Sequence, residues 1–251
     1  MEDERERVGE ERFIALLQDG ATLCNLELVD ADLSATSVEQ LTLRNCRFVD
    51  TVFAHADWES LTCAGCAFVR CQFLATKLTG ASFTKCDFFD AESSKGCSFA
   101  GARLRFATFK ECTLDSCAFA DADLAHLTLD ASRAIGASFA KAAFRHSAIL
   151  TRNVLRYADL RDADLGKCDL SGNDLEWGNL ERAKLHDANL RDANLNRASL
   201  RGADLRRADL RNANLGGLDL REVDARGALI LEGQMRQLLE PMELIVLPDN
   251  R

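Results

Sequence analysis

Proline is almost missing, at two residues in 251, which leaves no room for a Pro-rich linker between folded units. Tyrosine (1) and tryptophan (2) are scarce beside 14 phenylalanines. No apolar run reaches the length of about 18 residues needed to span a bilayer. The opening Met1-Glu2-Asp3-Glu4-Arg5-Glu6-Arg7 is charged and has no apolar h-region, so a secretory signal is not expected and the cytosol is the expected compartment. Motifs of catalysis are lacking as well. There is no P-loop, no G-x-G-x-x-G opening a helix, no H-E-x-x-H and no G-x-S-x-G. No enzyme activity and no cofactor are expected. Histidine numbers four. His126 and His146 are 20 apart at outward positions, but two imidazoles fall short of the three or four ligands a metal site needs. They read as solvated surface histidines, and no metal is expected.

Cysteine is plentiful, at ten. Cys63 and Cys66 are spaced C-x-x-C, but no second such pair follows to complete a zinc site. A cytosolic chain keeps its thiols reduced. The cysteines read as small buried core residues.

What dominates the sequence is an internal repeat. From Tyr157 it runs YADLR DADLG KCDLS GNDLE WGNLE RAKLH DANLR DANLN RASLR GADLR RADLR NANLG GLDLR, with a leucine every five residues from Leu155 to Leu220. We call the leucine position i. A small residue precedes it at i−2: Ala158, Ala163, Cys168, Asn173, Gly178, Ala183. A period of five matches neither a helix nor a flat strand. Upstream, Leu23 to Phe88 and then Phe99 to Phe144 keep the same period in shifted phase, with phenylalanine common at i. Each shift reads as one inserted residue, near Ser93–Gly96 and near Leu150–Asn153, with Ser93 and Ile149 taking i and no long inserted loop.

This pattern resembles the pentapeptide-repeat family, whose motif is A(D/N)LXX; the resemblance covers about residues 21–230. It implies an all-β fold, a right-handed quadrilateral β-helix with short terminal caps, in which four pentapeptides make one coil and i and i−2 point inward. Coils about 4.8 Å apart then give a quasi-one-dimensional rod that needs capped ends. Residues 20 apart stack, which puts Cys46, Cys66 and Cys86 in one column, Cys97 over Cys117, and Phe48, Phe68, Phe88 and Phe109 in another. Residues 1–20 carry Val8, Phe13, Ile14, Leu16 and Leu17 in an amphipathic pattern and read as a helical N-terminal cap. Residues 231–251 read as a C-terminal helix and strand, a cap or a dimerisation element. Met235, Leu238, Leu239, Met242, Leu244 and Val246 are the candidate dimer interface, because quinolone-resistance (Qnr-type) members of the family dimerise through such elements.

The surface offers two candidates. Tyr157, Trp177 and Arg197 are 20 apart at i+2, which aligns two outward aromatics with an arginine, material of the kind found at interface hot spots. Asp30 over Asp50 and Glu39 over Glu59 align acids toward the other end. Residues 1–98 hold 17 acids and 9 bases, whereas residues 150–230 hold 14 of each, in alternations such as Ala208-Asp209-Leu210-Arg211 whose charges cancel. The overall charge is −9. These features read as a non-catalytic protein-binding solenoid that binds no nucleic acid or membrane directly. The family resemblance implies two more specific roles. One is a DNA mimic that binds DNA gyrase or topoisomerase IV and protects it from quinolones or toxins. The other is an adaptor or effector-associated protein of a bacterial (type VI) secretion system.

Overall fold

The structure, a computed structural model, describes residues 5–18, 22–144 and 148–239. From Leu23 onward four pentapeptides bring the backbone back onto its own path, so that Leu23, Leu43, Cys63 and Phe83 are neighbours in parallel register. This is a four-sided parallel β-solenoid. We number its sides from the first rung: side 1 carries Leu23, side 2 Leu28, side 3 Leu33 and side 4 Val38. Side 1 is a seven-stranded sheet from Thr22–Cys24 to Ile149–Thr151. Side 2 is a four-stranded sheet that starts with Glu6–Val8. Sides 3 and 4, and all sides of the later rungs, join through single-residue bridges such as Asp32 to Val52 and Asp169 to Asn189.

The residue at i−1 changes in character along side 1. It is first Thr22, Thr42, Thr62, Ser82, Thr108 and Thr128, mostly β-branched and at ease in extended backbone. In the later rungs it is mostly Asp or Asn, whose side-chain oxygen accepts the N–H of i+1: Asp159 from Arg161 at 3.1 Å, Asp169 from Ser171 at 3.0 Å, Asn189 from Arg191 at 3.2 Å. That Asx turn bends the chain directly after the buried leucine. The corner is completed at i+2, which takes the left-handed conformation from Asn25 (φ 54°) to Asn212 (φ 62°). Among the described residues no valine, isoleucine or threonine has a positive φ, as the crowding of a branched Cβ there requires.

The interior is built of stacked columns. Phe53, Phe73, Phe99, Phe119 and Phe139 run down side 3 with centroids 4.6–4.9 Å apart and nearly parallel planes. They meet the Phe48–Phe68–Phe88 column edge-on, as in Phe68–Phe73 at 5.6 Å and 67°. Offset stacking within a column and edge contact between columns are both favourable aromatic geometries. From Leu155 leucines replace the rings.

Polar backbone at the corners also has to be satisfied. Some corners close with a turn bond from the i+3 N–H to the i carbonyl, as Ala56 to Phe53 at 3.1 Å. At others a serine or asparagine side chain at i−2 one rung on accepts the freed N–H. Ser132 Oγ takes that of Cys112 at 3.0 Å, Asn153 Oδ1 that of Ser132 at 2.9 Å, and Asn173 Oδ1 that of Asn153 at 2.8 Å. Where the i−2 residue is cysteine, its thiol donates to backbone carbonyls, as Cys46 to Leu23 at 3.5 Å and Cys112 to Phe83 at 3.4 Å. Nine of the ten cysteines are buried and all ten are free thiols. Burial pushes Cys63, Cys97 and Cys117 up, and Cys168 to about 11, so these remain protonated. The Cys46–Cys66–Cys86 and Cys97–Cys117 columns are present, and their thiols donate hydrogen bonds to backbone carbonyls as well as fill space.

Four expectations about the phase shifts need correction. The first insertion is a hairpin of several residues: Phe89–Asp90 pairs antiparallel with Lys95–Gly96. The rung that contains it pairs Phe83 with Phe109, 26 residues on. Ser93 lies in the hairpin and does not take position i. Phe109 therefore stacks on Phe83 (4.7 Å) rather than continuing the Phe88 column, where Leu114 follows instead because Asp87 bridges Thr113. At the second shift it is Leu150, not Ile149, that pairs with Leu129. Ala148 is already buried and Ile149 faces out.

Both ends of the described rod are covered. Helix α1 (Glu10–Gln18) buries Phe13 and Leu17; the Phe13 ring meets Phe48 edge-on at 5.6 Å, and burial of such a ring is worth roughly 2–3 kcal/mol. At the other end Gln234, on a 3-10 turn leading into helix α2 (Met235–Leu239), is buried and donates to the carbonyls of Leu210 and Ala213 at 2.9 and 2.8 Å. Gln237 accepts the Leu215 N–H at 2.8 Å. No helix among the described residues is long and apolar enough to cross a membrane.

Candidate interaction surface

The aligned acids lie on two edges of the first rungs. Asp30 and Asp50 are successive corner residues between sides 2 and 3. Arg70, next in that column, turns the alignment into a clamp: it binds Asp50 bidentately at 2.7 and 2.6 Å and reaches Asp90 at 2.7 Å. Asp90 also receives the Ser93 hydroxyl at 2.5 Å. Through these contacts the hairpin is fastened to the rod. Glu39 and Glu59 border a shallow hollow on side 4 with Ser37, Asp57 and Ser60. Asp57 is neutralised by Lys77 at 2.5 Å, whereas Asp30, Glu39 and Glu59 have no cation at ion-pair distance among the described residues.

The Asp90 carboxyl is held down to about 2, first by the Ser93 hydroxyl and then by Arg70. An unfolded aspartate titrates near 3.9. A depressed folded pKa contributes stability that is complete above that value and lost as pH falls toward about 2. The hairpin is therefore expected to stay closed at pH 5 and to open between about pH 4 and 2. Amide exchange at Ser93–Lys95 checks this: protection that is flat across the interval contradicts it, and Arg70→Ala should move the opening to higher pH.

In the second half the charges cancel in two registers. Within a pentapeptide, Arg206 binds Asp204 through two bonds of 2.7 Å. Between rungs, Arg182 binds Asp162 at 2.8 and 2.9 Å and Arg207 binds Asp187 at 2.6 and 2.7 Å. Arg221 and Arg226 hold Asp219 and Asp224 down to about 2.

Tyr157, Trp177 and Arg197 fall on one corner edge in successive rungs, at φ near 58°. Tyr157 is 56% and Trp177 44% exposed, and the Arg197 guanidinium carbon lies 4.9 Å from the Trp177 ring centre. A second exposed aromatic escaped the sequence reading. Phe106, 55% exposed, stacks on His126 at 4.7 Å on the corner between sides 4 and 1. Its twenty-residue offset from His126 was legible, but phenylalanine in this chain is mostly an inward residue. His146 lies outside the described residues. No cluster of three or more metal-ligating side chains occurs among the described residues.

Of the candidate dimer residues, Met235 is exposed, Leu238 packs on the core and Leu239 is half-buried. Met242, Leu244 and Val246 lie outside the described residues. Leu229, Ile230 and Leu231 are exposed beside Met235, an apolar patch at this end of the rod.

A family profile described as "Pentapeptide repeats" matches residues 148–187 and 188–227 in eight copies. Residues 148–227 are thus pentapeptide repeats, and with the repeat and solenoid above the chain has the right-handed quadrilateral fold of that family. Within that family it is similar to quinolone-resistance proteins. It is 35% identical over 98 residues to the quinolone resistance pentapeptide repeat protein QnrB96 of Scandinavium goeteborgense, covering 36% of this chain and 46% of that protein. It is 32% identical over 98 residues, at the same coverage, to the pentapeptide repeat protein QnrB4 of Escherichia coli. The match thus spans just under half the length of these curated relatives. Among solved structures, a trypsin-treated variant of QnrB1, described as a plasmid-mediated fluoroquinolone resistance protein, superposes with a TM-score of 0.70 at 29% identity, covering 90% of this chain and 99% of that one. Full-length QnrB1 gives 0.65 at 28% identity, with 87% and 100% covered.

Proposed function

We propose that this chain is a non-catalytic, protein-binding rod that engages a type II topoisomerase of the DNA gyrase or topoisomerase IV kind and protects it from quinolones. The observation that carries the reading is the superposition on a fluoroquinolone resistance protein over that protein's whole length. The charge distribution adds a direction. Acids without a cation partner among the described residues, Asp30, Glu39 and Glu59, lie in the first rungs, while in the later rungs most acids are paired, Asp169 and Asp192 being exceptions. The first half is therefore the part suited to a basic cleft that ordinarily holds DNA phosphates. A homodimer joined through residues 231–251 belongs to the same proposal, supported by the apolar patch at Leu229–Leu231 and Met235.

The test is gyrase supercoiling titrated with the purified protein, with and without a fluoroquinolone. Rescue is expected for the wild type. The double variant Glu39→Lys, Glu59→Lys should raise the concentration for half-rescue about tenfold or more, since like-charge contacts at an interface cost several kcal/mol. An absence of rescue by the wild type, at any concentration that leaves supercoiling itself intact, ends this reading.

A further inference from the structure

We infer that the edge Tyr157–Trp177–Arg197 is a docking site for an acidic, apolar-flanked peptide segment of a partner protein, distinct in place and in charge from the acidic first rungs. The argument starts from Arg197. Every other arginine from Arg152 to Arg226 has a carboxylate within ion-pair distance. Arg197 has none among the described residues. The pairing register explains the exception. Arginines at this corner position take an acid one rung earlier, as Arg182 takes Asp162 and Arg207 takes Asp187. For Arg197 that place is occupied by Trp177, and the place one rung later by Gly217.

The guanidinium consequently lies with its carbon 4.9 Å from the indole centre. The cation–π contact holds the guanidinium over the ring, and with no carboxylate at ion-pair distance its N–H groups are left for a partner, to whose carboxylate an arginine can make two parallel bonds. Gly217 keeps the far side open. A Cβ there would come within 3.2 Å of Arg197 Cγ, and a groove of about 550 Å³ lies beside Arg197, lined also by Arg201, Glu222 and Asp219, the last bound to Arg221 at 2.6 Å. Arg201 is already matched to Glu222 at 2.7 Å, so Arg197 is the one uncompensated cation there among the described residues. Trp177 and Tyr157 supply exposed apolar area with few rotatable bonds in line with it.

The occupant follows from the surroundings. Trp177 is preceded by Glu176, which is held by Arg156 at 2.5 Å and Asn196 at 3.0 Å, and Tyr157 is followed by Asp159, bound to Arg161. A nucleic-acid backbone would bring a run of phosphates against these carboxylates. A peptide brings a single carboxylate to Arg197 and an apolar neighbour to the rings.

The experiment uses the full chain and no topoisomerase, so it is decided independently of the role proposed above. Fluorescence anisotropy is read with a labelled dodecapeptide bearing a central Phe-Glu pair in a Gly/Ser sequence, with its Phe-Gln counterpart, and with an oligothymidylate. The Phe-Glu peptide should bind, and the Glu-to-Gln change should weaken it about tenfold, the worth of a charge-assisted hydrogen-bond pair. Arg197→Gly and Trp177→Gly should each do the same. Both positions have a left-handed backbone that glycine adopts freely, and an unchanged circular dichroism spectrum verifies folding. The inference is overturned if the peptide does not bind, if its binding survives Arg197→Gly, or if oligothymidylate binds more tightly.

Discussion

Gly96→Ala is expected to destabilise the rod by more than about 3 kcal/mol, a loss on the scale of severe steric conflict in a core. Gly96 closes the hairpin and leads straight into buried Cys97. A Cβ at this position would collide with the Asp115 carbonyl oxygen and the Cys117 nitrogen, and would lie 2.5 Å from the Ser116 carbonyl carbon. All three are backbone atoms of the next rung, and that rung is itself tied onward, for example by the bond from Ser116 N–H to the Ile135 carbonyl at 2.9 Å. There is no flexible side chain to move aside. Gly101 is the control. It has φ 63° and nothing within 4 Å of the place a Cβ would take, so Gly101→Ala should cost only about 1 kcal/mol of backbone strain. Urea midpoints for the two variants make the comparison, and equal shifts would show that the hairpin root has slack that the geometry denies.

Asn153→Leu is the second large effect, expected at about 2–4 kcal/mol although leucine is similar in size and more apolar. Asn153 Oδ1 accepts the Ser132 N–H at 2.9 Å and its amide donates to the Leu129 carbonyl at 2.9 Å. Both partners are left inside the rod when the amide is removed, and an orphaned buried donor costs more than an average hydrogen bond is worth. Leu195→Met, a volume-conserving exchange among leucines of the same rod, should cost less than about 1.5 kcal/mol. A midpoint for Asn153→Leu equal to that of Leu195→Met would mean that the amide column contributes no more than packing does. Because a solenoid responds rung by rung, amide exchange around Ser132 and Asn153 should report the loss before the ends of the rod do.

Much of the solenoid was written in one dimension. A leucine or phenylalanine every fifth residue with a small residue two places earlier fixes what points inward, and multiples of twenty fix what stacks. That reasoning placed Tyr157, Trp177 and Arg197 on one edge, and aligned Asp30 with Asp50 and Glu39 with Glu59. It failed where arithmetic has no memory of whole turns of the count. An excursion one residue longer than a pentapeptide shifts the phase as a single insertion does, so the hairpin at Phe89–Gly96 was invisible and Ser93 falls, by count alone, on a core position. The same loss of count misplaced Phe109. The choice of Ser or Asn at i−2 could be seen but not explained, because it depends on whether a corner closes its own turn bond, and that is settled by the three-dimensional path. The missing partner of Arg197 was readable from the column Trp177–Arg197–Gly217, yet it gained meaning only once the pairing register of the other arginines was known.

The left-handed corners have a consequence for how such a rod can change. The four edges are its most protruding lines, the first parts to touch whatever it meets. At the apex of each, valine, isoleucine and threonine are excluded by the backbone itself, whatever a partner would prefer. New contacts along these ridges must be composed from glycine, alanine and unbranched polar, charged or aromatic residues, as they are at Lys85, His126, Tyr157 and Trp177. The vocabulary available for specificity at the edges is thus narrower than on the flat sides, and it is weighted toward side chains that reach outward.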